Sequence, residues 1–91
     1  MKPRPLTSGQ IRAARAFLRW SADDLARASS VGVATIRRAE LTDDETSMTA
    51  ANDLAVRRAL EAAGVEFIDN GSGLGVRLPK VMKQARKRKM I

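Results

Sequence analysis

Apolar residues recur at helical spacing in four successive stretches of the chain and then change to alternation. Ile11, Ala14 and Leu18 fall on one face with Phe17 beside them, while Arg12, Arg15 and Arg19 lie around the other side. This pattern predicts a helix over about 8–19, capped by Thr7 or Ser8, with Gln10 in its first turn. Ser21 starts the next helix. Asp24, three residues on, makes a capping-box-like pair with it, and Ala22 to Ser29 forms two turns that bury Leu25 and Ala26. The segment SSVG breaks that helix, and Val33 to Leu41 forms a third, with Ile36 pointing inward and Gly32 as N-cap. The polar, acidic stretch TDDETSMT reads as a loop. A fourth helix opens at Ser47 or Thr49 and runs through Ala63. Its expected buried set is Leu54, Leu60 and Ala63, flanked by Val56 or Ala59, and Gly64 sits where a terminating glycine belongs.

Beyond Gly64 the period becomes extended. VEFID and GVRL are two short strands about the turn signal NGSG, which predicts a β-hairpin over about 65–79 that ends at Pro79. The opening MKPRP makes residues 1–6 a flexible arm. Residues 80–91 have too little apolar area to pack alone. They form either a disordered tail or a basic helix that orders on a partner.

The formal net charge of +7 sits almost wholly in that tail, in Lys80, Lys83, Arg86, Lys87, Arg88 and Lys89, with no acid among them. A 91-residue chain has room for one packed core, and 44% hydrophobic content suits a folded one. No apolar run approaches a membrane span and no signal peptide is evident, so a cytoplasmic protein is expected. The absence of Cys and His removes disulfides, most zinc sites and imidazole-based hydrolytic triads. No cofactor, metal, catalytic residue or small-molecule ligand site is expected, and a domain this small rarely shapes a substrate cavity.

From Ser21 to Glu40, SADDLARASSVGVATIRRAE places two short helices about a tight turn. Ala26 is small enough for a close crossing, Val31 lies inside the turn and Ile36 anchors the third helix. Such a corner leaves the third helix projecting, as a helix must to enter the major groove. These residues resemble the Cro/repressor (Xre-type) helix-turn-helix DNA-binding proteins. The likeness is carried by Ile11, Arg15, Ser21, Leu25, Ala26, Val31, Ala34, Thr35, Ile36 and Glu40, and runs from Ile11 to about Val65. ALEAAGVEFIDNGSGLGVRL further resembles a short-hairpin ending of small bacterial members. The resemblance implies a mainly α, four-helix, lambda-repressor-like domain over residues 7–64, followed by the hairpin, a possible dimerisation element, and the basic tail. It also implies a partly buried, structural ion pair between Arg15 and Glu40.

Departures from the family pattern shape the expected site. Ser30 replaces the usual turn glycine, so Ser30 is strained if left-handed, or the strain passes to Gly32. Ala22 replaces a glutamine that often touches phosphate. Val33 and Ala34 occupy base-reading positions but touch only thymine methyls or apolar base edges. Hydrogen-bonded readout then falls to Arg38, ahead of Arg37. An arginine that grips guanine O6 and N7 is worth about 1–3 kcal/mol of discrimination. Phosphate contacts are expected from Arg12, Arg19, Arg27 and Thr35, from the helix starts at Ser21 and Gly32, and from the tail cations named above. The acidic loop Asp43, Asp44, Glu45 opposes DNA approach near the fourth helix, unless it faces away or contacts the tail when no DNA is present.

The expected function is that of a transcriptional regulator, repressor or activator, binding palindromic operator DNA as a homodimer, with RNA polymerase as a possible further contact. Val65, Phe67, Ile68, Leu74, Val76 and Leu78 exceed what a four-helix core needs. They either pair with a second copy or fold back on their own helices. The alternatives are an accessory or excision factor of a mobile element, acting through the same helix, and an antitoxin-type module whose tail wraps a protein partner.

Overall fold

A computed structural model describes residues 4–43 and 45–79. Within them four helices precede one hairpin: α1 (Ser8–Leu18), α2 (Ala22–Ser29), α3 (Val33–Ala39), α4 (Ala50–Ala62), β1 (Glu66–Asp69) and β2 (Leu74–Arg77). The strands are antiparallel, with Glu66 opposite Arg77 and Phe67 opposite Val76. The chain is thus mainly helical with a two-stranded hairpin. No helix among the described residues is long and apolar enough to cross a membrane.

Three of the four described helices start where a side chain satisfies a free amide. Thr7 caps α1 and exchanges hydrogen bonds with Gln10 in a full capping box. Ser21 does the same with Asp24 at α2, the amide of Asp24 donating to Ser21 Oγ at 3.0 Å. Thr49 caps α4 through the amide of Asn52. Gly32 stands at the N-cap of α3, with no side-chain bond there. The endings differ more. Gly64 (φ 110) closes α4, with the amides of Gly64 and Val65 donating to Glu61 and Leu60 carbonyls. At α1 the left-handed position is Arg19 (φ 58), and at α2 it is Ser30 (φ 62). Gly32 has φ −59, so the strain of the turn stays on Ser30 and does not pass to the glycine. Ser29 braces this turn. Its Oγ donates to the Leu25 carbonyl at 2.7 Å and accepts from the Val31 amide at 3.2 Å.

The core gathers Leu6, Ile11, Ala14, Leu25, Val31, Ile36, Val56, Leu60 and Val65, with Trp20, Ala26, Phe67, Val76 and Leu78 packed against it. Several expectations are corrected here. Leu6 is fully buried, its amide donating to Asp53 Oδ1 at 2.9 Å, while the Arg4 carbonyl accepts from Arg57 Nη2 at 2.8 Å. Residues 4–6 are therefore fastened to α4 and are not part of a free arm; residues 1–3 lie outside the described residues. Phe17 is 49% exposed, one position off the Ile11–Ala14–Leu18 stripe. Leu54 is also exposed and Ala63 only half-buried, because α4 turns Val56 and Leu60, one helical turn apart, into the core. Leu54 instead lines a cleft of about 860 Å³ with Pro5 and Met48. The third helix stops at Ala39, and Leu41 is exposed.

The hairpin folds back on its own helices. Val65 is buried, Phe67 and Val76 pack on the core, and Gln10 Nε2 donates to the Gly75 carbonyl at 3.2 Å. Arg57 lies over the Phe67 ring, 5.2 Å from its centroid, and Arg4 Nε meets Asp69 Oδ2 at 2.9 Å. The loop between α3 and α4 is also organised. Thr7 and Glu45 form an isolated antiparallel bridge, and Thr46 is buried.

Candidate nucleic-acid interface

α3 has two chemically distinct sides. Ile36 and Ala39 are buried and hold the helix to the core. Ala34, Arg37 and Arg38 are exposed, and Val33 and Thr35 are half-buried. The expected base-reading set thus shares one short helix, with Ala34, Arg37 and Arg38 its accessible members. Among the described residues Arg38 has no ion-pair or side-chain hydrogen-bond partner. Arg37 Nη2 lies 3.8 Å from Asp23 Oδ2 of α2, with both side chains more than half exposed.

The orientation of α3 is fixed from α1. Arg15 Nε donates to Glu40 Oε2 and Arg15 Nη2 to Glu40 Oε1, both at 2.7 Å, the fork-on-fork geometry of a strong guanidinium–carboxylate pair. Arg15 Nη1 donates to the Trp20 carbonyl at 2.8 Å. The Glu40 side chain retains 10% of its exposure and that of Arg15 23%. The hydrogen bond to Glu40 raises the Arg15 pKa above its ordinary value against the opposing effect of burial, and the Glu40 charge adds to the rise.

The expected phosphate-binding residues are more constrained than a sequence can indicate. Arg12 Nη1 donates to the Glu40 carbonyl at 2.7 Å, so this cation serves the end of α3. Arg27 Nη2 meets Asp24 Oδ1 at 2.6 Å. Asp24 itself is held below its ordinary pKa of 3.8, chiefly by the hydrogen bond from the Ser21 backbone. Ser21 is exposed, but its hydroxyl is engaged as the α2 cap. Arg19 is exposed at the end of α1, and Gly32 is exposed at the start of α3. Lys80, Lys83, Arg86, Lys87, Arg88 and Lys89 lie outside the described residues, as does Asp44.

Two features of the site had no signal in the sequence. Asp23 reaches Arg37 only because the turn brings α2 and α3 together. A cleft of about 350 Å³ also adjoins α3, lined by Thr35, Arg38, Thr42, Thr46, Thr49 and Asn52 among others. It needs Thr46 turned inward by the loop, which a polar stretch does not announce. In comparisons with known proteins, no family matches the chain and no curated protein matches it.

Proposed function

We propose that this protein is a sequence-specific DNA-binding transcriptional regulator of the Cro/repressor helix-turn-helix kind, rather than a catalyst. α3 lies in the major groove. Arg38 reads guanine, Arg37 meets a base or phosphate, and Ala34 and Val33 touch thymine methyls. Arg19 and Thr35 are the described phosphate contacts least occupied elsewhere, while Arg12 and Arg27 contribute charge from beneath their own bonds. The tail cations add backbone affinity and salt dependence.

The observation that carries this reading is the exposure of Ala34, Arg37 and Arg38 on a helix whose other side is pinned by Ile36 and the Arg15–Glu40 pair. One short helix covers few base pairs, so two copies bind a palindrome with half-sites one turn apart. Exposed Leu54 and Leu74 are the apolar positions such pairing would cover. The protein acts on the nucleoid, in the cytoplasm, with RNA polymerase its further contact.

Selection of bound sites from random duplexes tests the reading. A palindromic consensus is expected, and Arg38→Ala is expected to erase its preference at one guanine per half-site. Recovery of no enriched sequence at moderate salt would overturn it. Sedimentation at micromolar concentration tests the homodimer, with a single monomer boundary the contrary result.

A further inference from the structure

Arg37 and Arg38 are neighbours in sequence and both exposed, yet their surroundings differ. Arg38 has no partner among the described residues, whereas Arg37 faces the Asp23 carboxylate across the α2–α3 corner at 3.8 Å. Asp23 is not needed for capping, because Ser21 and Asp24 complete that box between themselves. Its side chain is 57% exposed and accepts no hydrogen bond among the described residues. An acid so placed repels a phosphate and competes with it for the guanidinium.

We infer that Asp23 is a specificity-determining residue of the DNA site: it restrains Arg37 from non-specific phosphate contact, so that the domain discriminates through Arg38. This inference rests on the DNA-binding reading above. A duplex of arbitrary sequence offers Arg37 only backbone oxygens, and the exposed carboxylate beside it weakens that contact by the modest amount such a pair is worth. On the preferred sequence Arg37 has a base edge to meet as well as phosphate, which offsets the carboxylate, while Arg38 and the apolar contacts of Ala34 and Val33 supply the rest of the affinity. The carboxylate therefore lowers affinity for wrong DNA more than for right DNA, the repulsive half of selectivity.

The test measures binding of the full chain to a random-sequence duplex and to a selected duplex over a range of salt. The variants are Asp23→Asn, Arg37→Ala, the two together, and Arg38→Ala. Asp23→Asn is expected to tighten random-duplex binding about threefold, the scale of an exposed ion pair. It is also expected to steepen the salt slope by about 0.9, as one more phosphate is neutralised. The preferred duplex gains less, so the specificity ratio falls, and in the Arg37→Ala background the gain disappears. If Asp23→Asn leaves random-duplex affinity and slope unchanged while Arg38→Ala still weakens selected-site binding, the role of Asp23 is overturned and the DNA-binding reading stands. An equal gain with and without Arg37 also overturns the pair. If no variant, Arg38→Ala included, alters binding to any duplex, the DNA-binding reading itself falls. Thermal melting of Asp23→Asn within a few degrees of the parent shows that α2 is intact.

Discussion

On its inner side α3 presents Ile36 and Ala39 to the core, and its exit is gripped by Arg15 at the Glu40 carboxylate and by Arg12 at the Glu40 carbonyl. On its outer side Ala34, Arg37 and Arg38 are exposed, and among the described residues the one ion pair there is the 3.8 Å approach of Asp23 to Arg37. Among the described residues no buried side-chain nitrogen or oxygen lacks a hydrogen-bond partner. The outer side leaves donors unspent. The contrast shows how seven residues are held in place: a helix this short has almost no intrinsic stability, so its position must come from contacts on its inner side, which leaves the outer side available to the binding role proposed above.

The contrast breaks most completely at the core. Ile36→Ala is expected to cost about 2–5 kcal/mol, read by denaturant unfolding, because the side chain is almost fully buried in the hydrophobic core. Glu40→Ala removes the partner of a largely buried guanidinium and is expected to cost about 1.5–3 kcal/mol, the scale of hydrogen bonds to a charged group. Arg15→Lys keeps the charge but not the forked geometry, so it should cost part of the same amount. Ser30→Gly works in the other direction. It relieves a left-handed serine and is expected to stabilise by about 1 kcal/mol, provided the Ser29 brace is kept.

The outer side sharpens the same contrast by its indifference. Arg38→Ala should change unfolding free energy by less than about 0.5 kcal/mol while DNA binding falls, since nothing described in the fold depends on that guanidinium. The smallest effect is at Asp24. Its carboxyl is held below 3.8 in the folded protein, so its stabilising contribution is present above that pH and fades as pH falls through the lowered value. Asp24→Asn is expected to remove this acid-range slope from a stability-against-pH curve and to leave neutral-pH binding unchanged.

Much of this was legible in the chain because the signals were local. Ser21 with Asp24, Gly64 after an apolar stretch, and NGSG between β-formers each determine structure within a few residues, and the elements stand where those signals put them. Helix phase was less legible. Leu54 and Val56 are both apolar, and choosing between them requires knowing that Asp53 receives the Leu6 amide and that Arg57 covers Phe67. Leu6 was hidden for a related reason: a leucine between two prolines and a threonine has no periodicity to reveal burial. The exposed set on α3 followed from the position of Ile36, whereas the loads carried by Arg12 and Arg27 did not, since an arginine in a sequence does not state which oxygen it serves.

Besides the Arg15–Glu40 pair, three contacts join α1 and its cap to the chain that leaves α3: Arg12 to the Glu40 carbonyl, Ser8 Oγ to the Thr42 carbonyl at 2.6 Å, and the bridge between Thr7 and Glu45. They run in opposite directions along the two segments, like the teeth of a zip fastener. The mechanical consequence is that α3 cannot detach by itself: whatever pulls on it pulls on the first two turns of α1, and the two segments give way together or not at all.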